Sequence, residues 1–212
     1  AILVGGRQPV AWDVDIPLKH GVDQCIADTM GPGGIFRAMR TIPVMVEIAE
    51  DMEELCPGAL MLNYTNPMSI LCQAVRDGVG IPVVGLCHSV QAAHGELAKV
   101  IGESGEDCTS WTAGVNHQAW VLEFKCKGQD AYPRIRRAAR ENHEWFERNT
   151  TRVEMLRQLG HYVTESSGHN SEYNPWFRKR PDLIEKYQGQ GFNGGTGYIK
   201  RLYSTDRDEY MG

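Results

Sequence analysis

The stretch Ile81-Pro-Val-Val-Gly-Leu-Cys-His-Ser-Val-Gln91 decides how the whole chain is interpreted. Residues 81–86 form a short apolar run, which is typical of a buried strand, and the residues that follow predict a helix ending near Gly102. Cys87 and His88 therefore lie side by side at the carboxyl end of a strand, where open α/β sheets bind their ligands. This position predicts a chemically active site.

The residues before this stretch alternate between strand and helix patterns. Residues 59–63 predict another strand, and Asn66 followed by Pro67 predicts a helix start with Asn66 as the N-cap. Farther upstream the pattern predicts a strand at 1–6, a helical patch at 22–27, a chain break at 31–34 and a long amphipathic helix from 35 to 57. Strands that alternate with helices predict an α/β fold, here part of a Rossmann-type parallel sheet with right-handed crossovers.

Beyond Gly102 the pattern changes to a mixed α+β region. It predicts strands at 109–113 and 119–125, helices at 132–148 and 152–159, and a polar, aromatic loop at 162–177. We place a domain boundary near Ser104. It separates the Rossmann-type sheet region at 1–103 from a mixed α+β, substrate-side region at 104–212.

The composition excludes some classes of partner. The 27 acidic and 22 basic side chains give a formal charge of −5, so the chain lacks the basic surface typical of nucleic-acid binding. No apolar run approaches the roughly 20 residues that span a bilayer, and no charged-then-apolar leader precedes the first strand. We therefore expect a cytoplasmic protein with a small-molecule substrate and neither a nucleic-acid nor a membrane partner. The six cysteines lack a C-x-x-C pair, which predicts reduced thiols.

Cys87 and His117 are candidate metal ligands. A thiolate and a neutral imidazole can hold a divalent ion while leaving positions open for substrate oxygens, and the soft sulfur alone favours Zn²⁺. A cysteine at a strand end is also a common packing residue, and a single histidine is also a common core or surface residue. His88 is a candidate general acid or base, because imidazole exchanges protons near neutral pH; a solvent-exposed helix residue is the alternative.

Two other segments offer polar groups for a ligand. Asn63-Tyr-Thr-Asn-Pro67 places two side-chain amides at a strand-to-helix turn, although helix capping by Asn66 is the simpler explanation of this segment alone. Thr164-Glu-Ser-Ser-Gly-His-Asn170 and Tyr173-Asn-Pro-Trp-Phe177 combine acids, a histidine and aromatic rings. Aromatic faces beside hydrogen-bonding groups suit a sugar, whose rings have apolar faces and polar rims.

Several of these motifs together resemble the glycoside hydrolases of family 4. They follow the family's order: Ala27-Asp-Thr-Met-Gly-Pro-Gly-Gly-Ile35, Asn63-Tyr-Thr-Asn-Pro67, Gly85-Leu-Cys-His-Ser-Val-Gln91, Gly114-Val-Asn-His117 and Val163-Thr-Glu-Ser-Ser167. The form Cys-His-Ser-Val-Gln, with Tyr173-Asn-Pro-Trp-Phe177 downstream, most resembles the α-galactosidase (melibiase) branch. The resemblance runs from about Ile2 to Phe177 and implies a sheet like that of lactate and malate dehydrogenases.

The resemblance implies a glycosidase that uses NAD and Mn²⁺ in place of the usual two carboxylates. NAD⁺ takes a hydride from C3 of the sugar, a base removes the acidified proton at C2, and the glycosidic oxygen leaves with help from an acid. Water then adds at C1 and the hydride returns. The implied activity is hydrolysis of α-galactosides by oxidation, elimination, addition and reduction.

The family's site residues carry over onto matching positions. Cys87 and His117 match the metal ligands, which changes the expected ion from Zn²⁺ to Mn²⁺. Asn66 matches a substrate-binding amide and His88 matches the acid, while Asn63 is placed at the cofactor.

The base is the residue that the resemblance defines least. Family members carry Asp or Tyr in this role. Glu165 occupies a comparable turn in this chain and is our candidate, with Tyr162 as the alternative.

The chain departs from the family at its ends. The family begins with a strand and a glycine-rich turn for the NAD pyrophosphate, whereas this chain begins near the family's fourth strand and lacks the C-terminal helical part. The resemblance thus implies that residues 1–103 are the C-terminal part of a Rossmann-type NAD-binding domain and that residues 104–212 are an incomplete α+β region that binds substrate and metal. We therefore expect an internal fragment that binds NAD poorly by itself. The alternatives are an α-glucosidase or α-glucuronidase of the same family, a relative of 2-hydroxyacid dehydrogenases, and an inactive sugar-binding fragment. A homodimer or homotetramer is expected.

Overall fold

The structure, a computed structural model, describes residues 2–188 and 194–200. The described residues divide into two compact units, one made of residues 2–87 and 196–200 and the other of residues 88–188 and 194–195. Each unit has its own hydrophobic clusters. No helix in the described ranges is long and apolar enough to cross a membrane.

The first unit contains a parallel pair of strands between helices. Its elements are α1 (Arg7–Lys19), α2 (Gly31–Leu55), β1 (Met61–Asn63), α3 (Met68–Gly78) and β2 (Val83–Gly85). β1 and β2 pair in parallel, with Met61 opposite Val83. Met45 of α2 and Leu71 of α3 are buried in one cluster with Met61. The predicted α/β class is therefore confirmed.

Two predictions for the N-terminal part of this unit are wrong. Residues 2–6 contain turns instead of a strand, and residues 22–27 are irregular instead of helical. The sequence pattern did not predict α1. Pro17 inside this helix is a typical helix breaker, and the buried Asp13 interrupts the apolar pattern. A bidentate ion pair between Asp13 and Arg40, with distances of 2.9 and 2.5 Å, compensates for the burial of this carboxylate.

The segment Gly31-Pro-Gly-Gly34, predicted to break the chain, begins α2 instead. A Cβ on Gly34 would lie 2.6 Å from the carbonyl carbon of Thr29, and a Cβ on Gly33 would lie 2.6 Å from the Cβ of Ala27. Such distances are shorter than van der Waals contact. The two glycines therefore allow the first turn of α2 to pack directly on the loop before it.

The second unit combines a small antiparallel sheet with helices. Its elements are α4 (Ser89–Val100), β3 (Cys108–Val115), β4 (Gln118–Cys126), β5 (Gln129–Asp130), α5 (Tyr132–Glu141), α6 (His143–Arg148), α7 (Thr150–Leu159), β6 (Tyr162–Val163), α8 (Ser167–Tyr173) and α9 (Pro181–Tyr187). β3, β5 and β6 all pair with β4, so the two predicted strands of this region are confirmed. The helix predicted over 132–148 is interrupted at Asn142, whose side chain caps α6. The loop predicted at 162–177 contains β6 and α8.

Helix α4 belongs to the core of the second unit. Its Leu97 is fully buried with Phe124 of β4 and Ile135 of α5. The division between the two compact units therefore falls after Cys87, whereas the sequence predicts a domain boundary near Ser104.

Cys108 and Cys126 form a disulfide, so the prediction of reduced thiols is wrong for this pair. The two residues lie directly opposite each other on β3 and β4, with Cα atoms 4.1 Å apart. The N–H of Lys127 donates to the carbonyl of Asp107 at 2.8 Å, so the cysteines occupy a non-hydrogen-bonded pair, where side chains of neighbouring strands come closest. The strand register, which spacing alone does not reveal, brings the sulfurs together.

Leu97→Ala is expected to lower the free energy of unfolding of the second unit by about 2–5 kcal/mol, because the substitution leaves a cavity in the core. The matched control is Leu159→Ala, since Leu159 lies in the same unit but is 48% exposed. Denaturant unfolding followed by tryptophan fluorescence measures both changes. Equal losses would contradict the placement of α4 in this core.

Gly34→Ala is expected to destabilise the first unit by about 1–3 kcal/mol, because the added methyl group overlaps the backbone of Thr29. Gly58→Ala is the control, since a Cβ at that position meets no atom within 4 Å. Thermal unfolding of both variants tests the close approach, and a melting temperature of Gly34→Ala equal to that of Gly58→Ala would refute it.

Candidate functional site

Asn63 is the last residue of β1, and Asn66 lies in the turn that follows. Asn63 is 2% exposed; its Oδ1 accepts from the N–H of Thr65 at 2.8 Å, and its Nδ2 lies 3.3 Å from the Thr65 carbonyl and 3.5 Å from Sγ of Cys72. The side chain thus shapes the turn from inside. The role of Asn63 at the cofactor stays a prediction, and this geometry favours an indirect role through the turn.

Asn66 is bound to the loop that precedes α2. Its Nδ2 donates to Oδ2 of Asp28 at 2.9 Å, and the hydroxyl of Thr29 donates to the other oxygen of that carboxylate at 2.9 Å. Asp28 is 6% exposed and so acts as a fixed acceptor. The bond orients the amide of Asn66 and leaves Oδ1 as an acceptor for a ligand hydroxyl. Asn66 is not the predicted N-cap, because Pro67 occupies that position and no side chain caps α3.

Cys87 and His88 are consecutive in sequence and belong to different units. The N–H of Leu86 donates to the carbonyl of Asn63 at 2.9 Å, which extends the β1–β2 pairing to the residue before Cys87. Cys87 is half-buried and outside the disulfide, and the exposed His88 is the N-cap residue of α4. The predicted strand end and helix start are confirmed here. The roles as metal ligand and acid stay predictions.

His117 lies in the turn between β3 and β4 and is 7% exposed. Its Nδ1 is 3.2 Å from the hydroxyl of Tyr173, and its Nε2 is 3.8 Å from Oε2 of Glu165. The hydrogen bond at Nδ1 fixes the ring and directs Nε2 toward the carboxylate. The structure therefore brings together two predicted site residues that lie far apart in the sequence.

Glu165 lies between two imidazoles. Its Oε1 is 3.4 Å from Nδ1 of His169, and the rings of His117 and His169 pack edge to face with centroids 4.9 Å apart. Ser166 caps α8 by accepting from the N–H of His169, and its Oγ also lies 2.7 Å from the Nδ1 of that residue. We refer to His117, Glu165, His169 and Tyr173 as the His117 cluster.

His169 and Tyr173 are the members of the His117 cluster to which the sequence gave no individual role, beyond their place in a loop suited to a sugar. The segment that contains them was predicted as a loop, and loop residues have no fixed spacing. In the structure they lie on α8, four residues apart and therefore on one face of the helix. Ser166, a typical N-cap residue, was the available signal for this helix.

Tyr162, the alternative base, lies inside the core. It is 0% exposed, and burial raises the pKa of its hydroxyl well above the ordinary value. The guanidinium of Arg152 stacks on its ring, 4.4 Å from the centroid. A buried phenol that is hard to ionise is poorly placed to take a proton from a ligand, so the geometry favours Glu165.

The His117 cluster has donors that suit a divalent cation. An imidazole nitrogen and a carboxylate oxygen face each other at 3.8 Å, and both types of atom bind Mn²⁺ and Zn²⁺. The imidazole is also oriented through its other nitrogen, which is the usual arrangement for a histidine that binds a metal. Nε2 of His117 is therefore held in an orientation that suits a metal ion, with the carboxylate of Glu165 beside it.

Comparison with known proteins identifies relatives along nearly the whole chain. A family model described as family 4 glycosyl hydrolase matches residues 1–103, and the model of the family 4 glycosyl hydrolase C-terminal domain matches residues 112–209. The chain is 49% identical over 191 residues to an α-galactosidase of Bacillus subtilis, a match that covers 89% of this chain and 44% of that protein. It is 39% identical over 209 residues to an α-galactosidase of Rhizobium meliloti, with 97% and 42% covered.

A solved structure shares the fold. A 6-phospho-α-glucosidase from gut microorganisms, in complex with NAD and Mn²⁺, matches with a TM-score of 0.70 at 19% identity, covering 99% of this chain and 50% of that one. The chain spans about half the length of the curated relatives it matches. Because the two family models lie one after the other along nearly all of the sequence, the chain belongs to family 4 of the glycosyl hydrolases.

Proposed function

We propose that this chain carries sugar- and metal-binding side chains of an α-galactosidase that requires NAD⁺ and Mn²⁺. The observation that carries the proposal is the His117 cluster, in which Tyr173 orients the imidazole and Glu165 lies 3.8 Å from its other nitrogen. The two α-galactosidase relatives support the substrate, and the fold shared with a structure that holds NAD and Mn²⁺ supports the cofactors.

The proposed metal ligands are Nε2 of His117 and the thiolate of Cys87. When bound, Mn²⁺ would polarise the sugar oxygens at C2 and C3, and NAD⁺ would accept the C3 hydrogen as a hydride. With Nε2 on the metal, Nδ1 of His117 would donate its hydrogen bond to the hydroxyl of Tyr173, which keeps the imidazole in one orientation.

The turns between strands and helices in the described residues do not have the features of an NAD site, whereas the side chains of the His117 cluster suit a metal. In the described residues, no glycine-rich turn joins a strand to the helix that follows it, and such a turn is the usual cradle for the pyrophosphate. The amide of Asn63 is used inside its own turn. NAD dependence is therefore proposed from the family and the shared fold, and no residue is assigned a step through the dinucleotide.

Glu165 is the proposed base that takes the proton from C2 of the sugar. Its side chain is 12% exposed and lies between two imidazoles, so little water competes for the carboxylate. His88 is the proposed acid that protonates the departing glycosidic oxygen. Asn66 is proposed to accept a hydrogen bond from a sugar hydroxyl through Oδ1, because Asp28 already binds its Nδ2.

Family membership overturns one alternative, the relative of 2-hydroxyacid dehydrogenases. Hydrolysis of α-glucosides or α-glucuronides, and an inactive sugar-binding role, are the alternatives that an assay separates. The cytoplasmic location and the homodimer or homotetramer stay predictions from the sequence.

Hydrolysis of p-nitrophenyl α-galactoside is expected only when NAD⁺, Mn²⁺ and a thiol reductant are all present, because oxidation at C3 precedes cleavage and Cys87 must be a thiolate. The corresponding α-glucoside and α-glucuronide are expected to react more slowly. Hydrolysis that is indifferent to NAD⁺ would contradict the redox mechanism. Galactose binding without turnover under any of these conditions would favour the inactive alternative.

Glu165→Gln is expected to lower kcat by about 10²- to 10⁴-fold, because the amide cannot take the C2 proton. Tyr162→Phe is the matched comparison and is expected to keep kcat, since its hydroxyl lies in the core. Initial rates at saturating α-galactoside measure both. Loss of activity in Tyr162→Phe with a normal melting temperature, together with an active Glu165→Gln, would reverse the assignment of the base.

A further inference from the structure

We propose that Arg152 is a positioning residue for Glu165. Arg152 lies on α7, and its side chain reaches the end of β6, the two-residue strand that leads to Glu165. The inference rests on the proposed function, because it assigns Arg152 a role through the proposed base.

The guanidinium of Arg152 binds the two carbonyls that immediately precede Glu165. Its Nε donates to the carbonyl of Val163 at 3.3 Å, and its Nη2 donates to the carbonyls of Val163 and Thr164, both at 3.2 Å. The side chain is 8% exposed, so water competes little for these bonds. The backbone direction at the end of β6 is therefore set by a charged side chain as well as by the sheet.

The remaining donors of Arg152 are also used. Its Nη1 donates to Oε2 of Glu96 at 2.7 Å and to Oδ1 of Asn149 at 3.0 Å. Together with the carbonyl contacts, these bonds engage all the nitrogen atoms of the guanidinium. Glu96 supplies the opposite charge that a nearly buried arginine needs, and its other oxygen accepts from Nε1 of Trp145 at 2.8 Å.

The backbone at the end of β6 is held both by the sheet and by Arg152. The N–H of Thr164 donates to the carbonyl of Ala119 at 2.9 Å, next to the β4–β6 pair of Trp120 and Val163. Ala119 is two residues after His117, so this pairing brings Glu165 toward the imidazole. The carbonyls of Val163 and Thr164, by contrast, are bound by Arg152. Without the guanidinium, these two carbonyls would lose its bonds, while the sheet contact and the bond from Nδ2 of Asn170 to the carbonyl of Glu165 at 2.8 Å would remain.

A lysine cannot reproduce this arrangement. The planar guanidinium binds two successive carbonyls and a carboxylate at once, whereas an ammonium is a compact charge with a different geometry. Arg152→Lys therefore keeps the charge and removes the fork that fixes the turn.

The matched control is Arg157→Lys on the same helix. Arg157 also donates to a backbone carbonyl, that of Ala139 at 2.7 Å, and also stacks on an aromatic ring, that of Phe146 at 4.5 Å. These contacts are with α5 and α6, and its ion pair with Glu154 at 3.8 Å lies within α7, away from the turn at Glu165. The two variants thus make the same chemical change on one helix, at side chains that are 8% exposed for Arg152 and 27% exposed for Arg157.

Arg152→Lys is expected to lower kcat for p-nitrophenyl α-galactoside on the order of 10- to 100-fold with little change in KM, because a displaced base slows proton removal more than binding. The primary deuterium isotope effect at C2 is expected to rise, since proton removal becomes more rate-limiting. Amide hydrogen exchange is expected to accelerate over residues 164–170. Arg157→Lys is expected to change none of the three.

The outcomes separate this inference from the proposed function. If the wild-type protein hydrolyses the galactoside with an isotope effect at C2, and Arg152→Lys behaves like Arg157→Lys, the positioning role is refuted while the function stands. If the wild type shows neither NAD-dependent hydrolysis nor an effect at C2, the proposed function fails first. If Arg152→Lys does not fold, Glu96→Gln replaces it, because it removes the charge that pairs with Arg152. An isotope effect at C2 equal to that of the wild type would then overturn the positioning role of Arg152, and a larger isotope effect would support it.

Discussion

The antiparallel pairing of β6 with β4 is the contact on which the candidate site of the second unit depends. β6 has only two residues, yet it places Val163 opposite Trp120 and so carries Glu165 to the turn that bears His117. A shift of the pairing by one residue would turn every side chain of β6 to the other face of the sheet. Tyr162 would then leave the core and Glu165 would leave the imidazole. The register is thus a condition for the chemistry as well as for packing.

So short a strand needs support from outside the sheet, and the support is polar. Removing one partner of a buried ion pair typically costs about 3–5 kcal/mol, so the pair of Arg152 and Glu96 can stabilise one arrangement only while both partners are present. Tyr162 contributes its ring to this arrangement by stacking under the guanidinium. The residue that seemed the alternative base therefore has a structural role beside the residue that we propose as the base.

Much of the fold was predictable where the signal is local. The apolar runs that became β1 and β2 and the hairpin of β3 and β4 follow from short-range patterns. Features that depend on long-range register were not predictable. The disulfide between Cys108 and Cys126 depends on the alignment of β3 and β4. Helix α1 was not predicted because its prolines and the buried Asp13 contradict the usual helix pattern. The charge of Asp13 is compensated by Arg40, which lies 27 residues later in the chain.

The candidate site shows the same division between chemistry and orientation. Reactive residue types such as His117 and Glu165 can be selected from sequence, because their chemistry belongs to the side chain itself. The partners that orient such groups, Asp28 for Asn66 and Tyr173 for His117, are ordinary polar residues whose roles arise only from contact. Asp28 binds Nδ2 of Asn66, and Tyr173 binds Nδ1 of His117. Oδ1 of Asn66 and Nε2 of His117 therefore point in directions that these partners set. A pattern of residue types can therefore indicate the reaction, whereas the direction in which each group acts is set by partners that only the folded structure identifies.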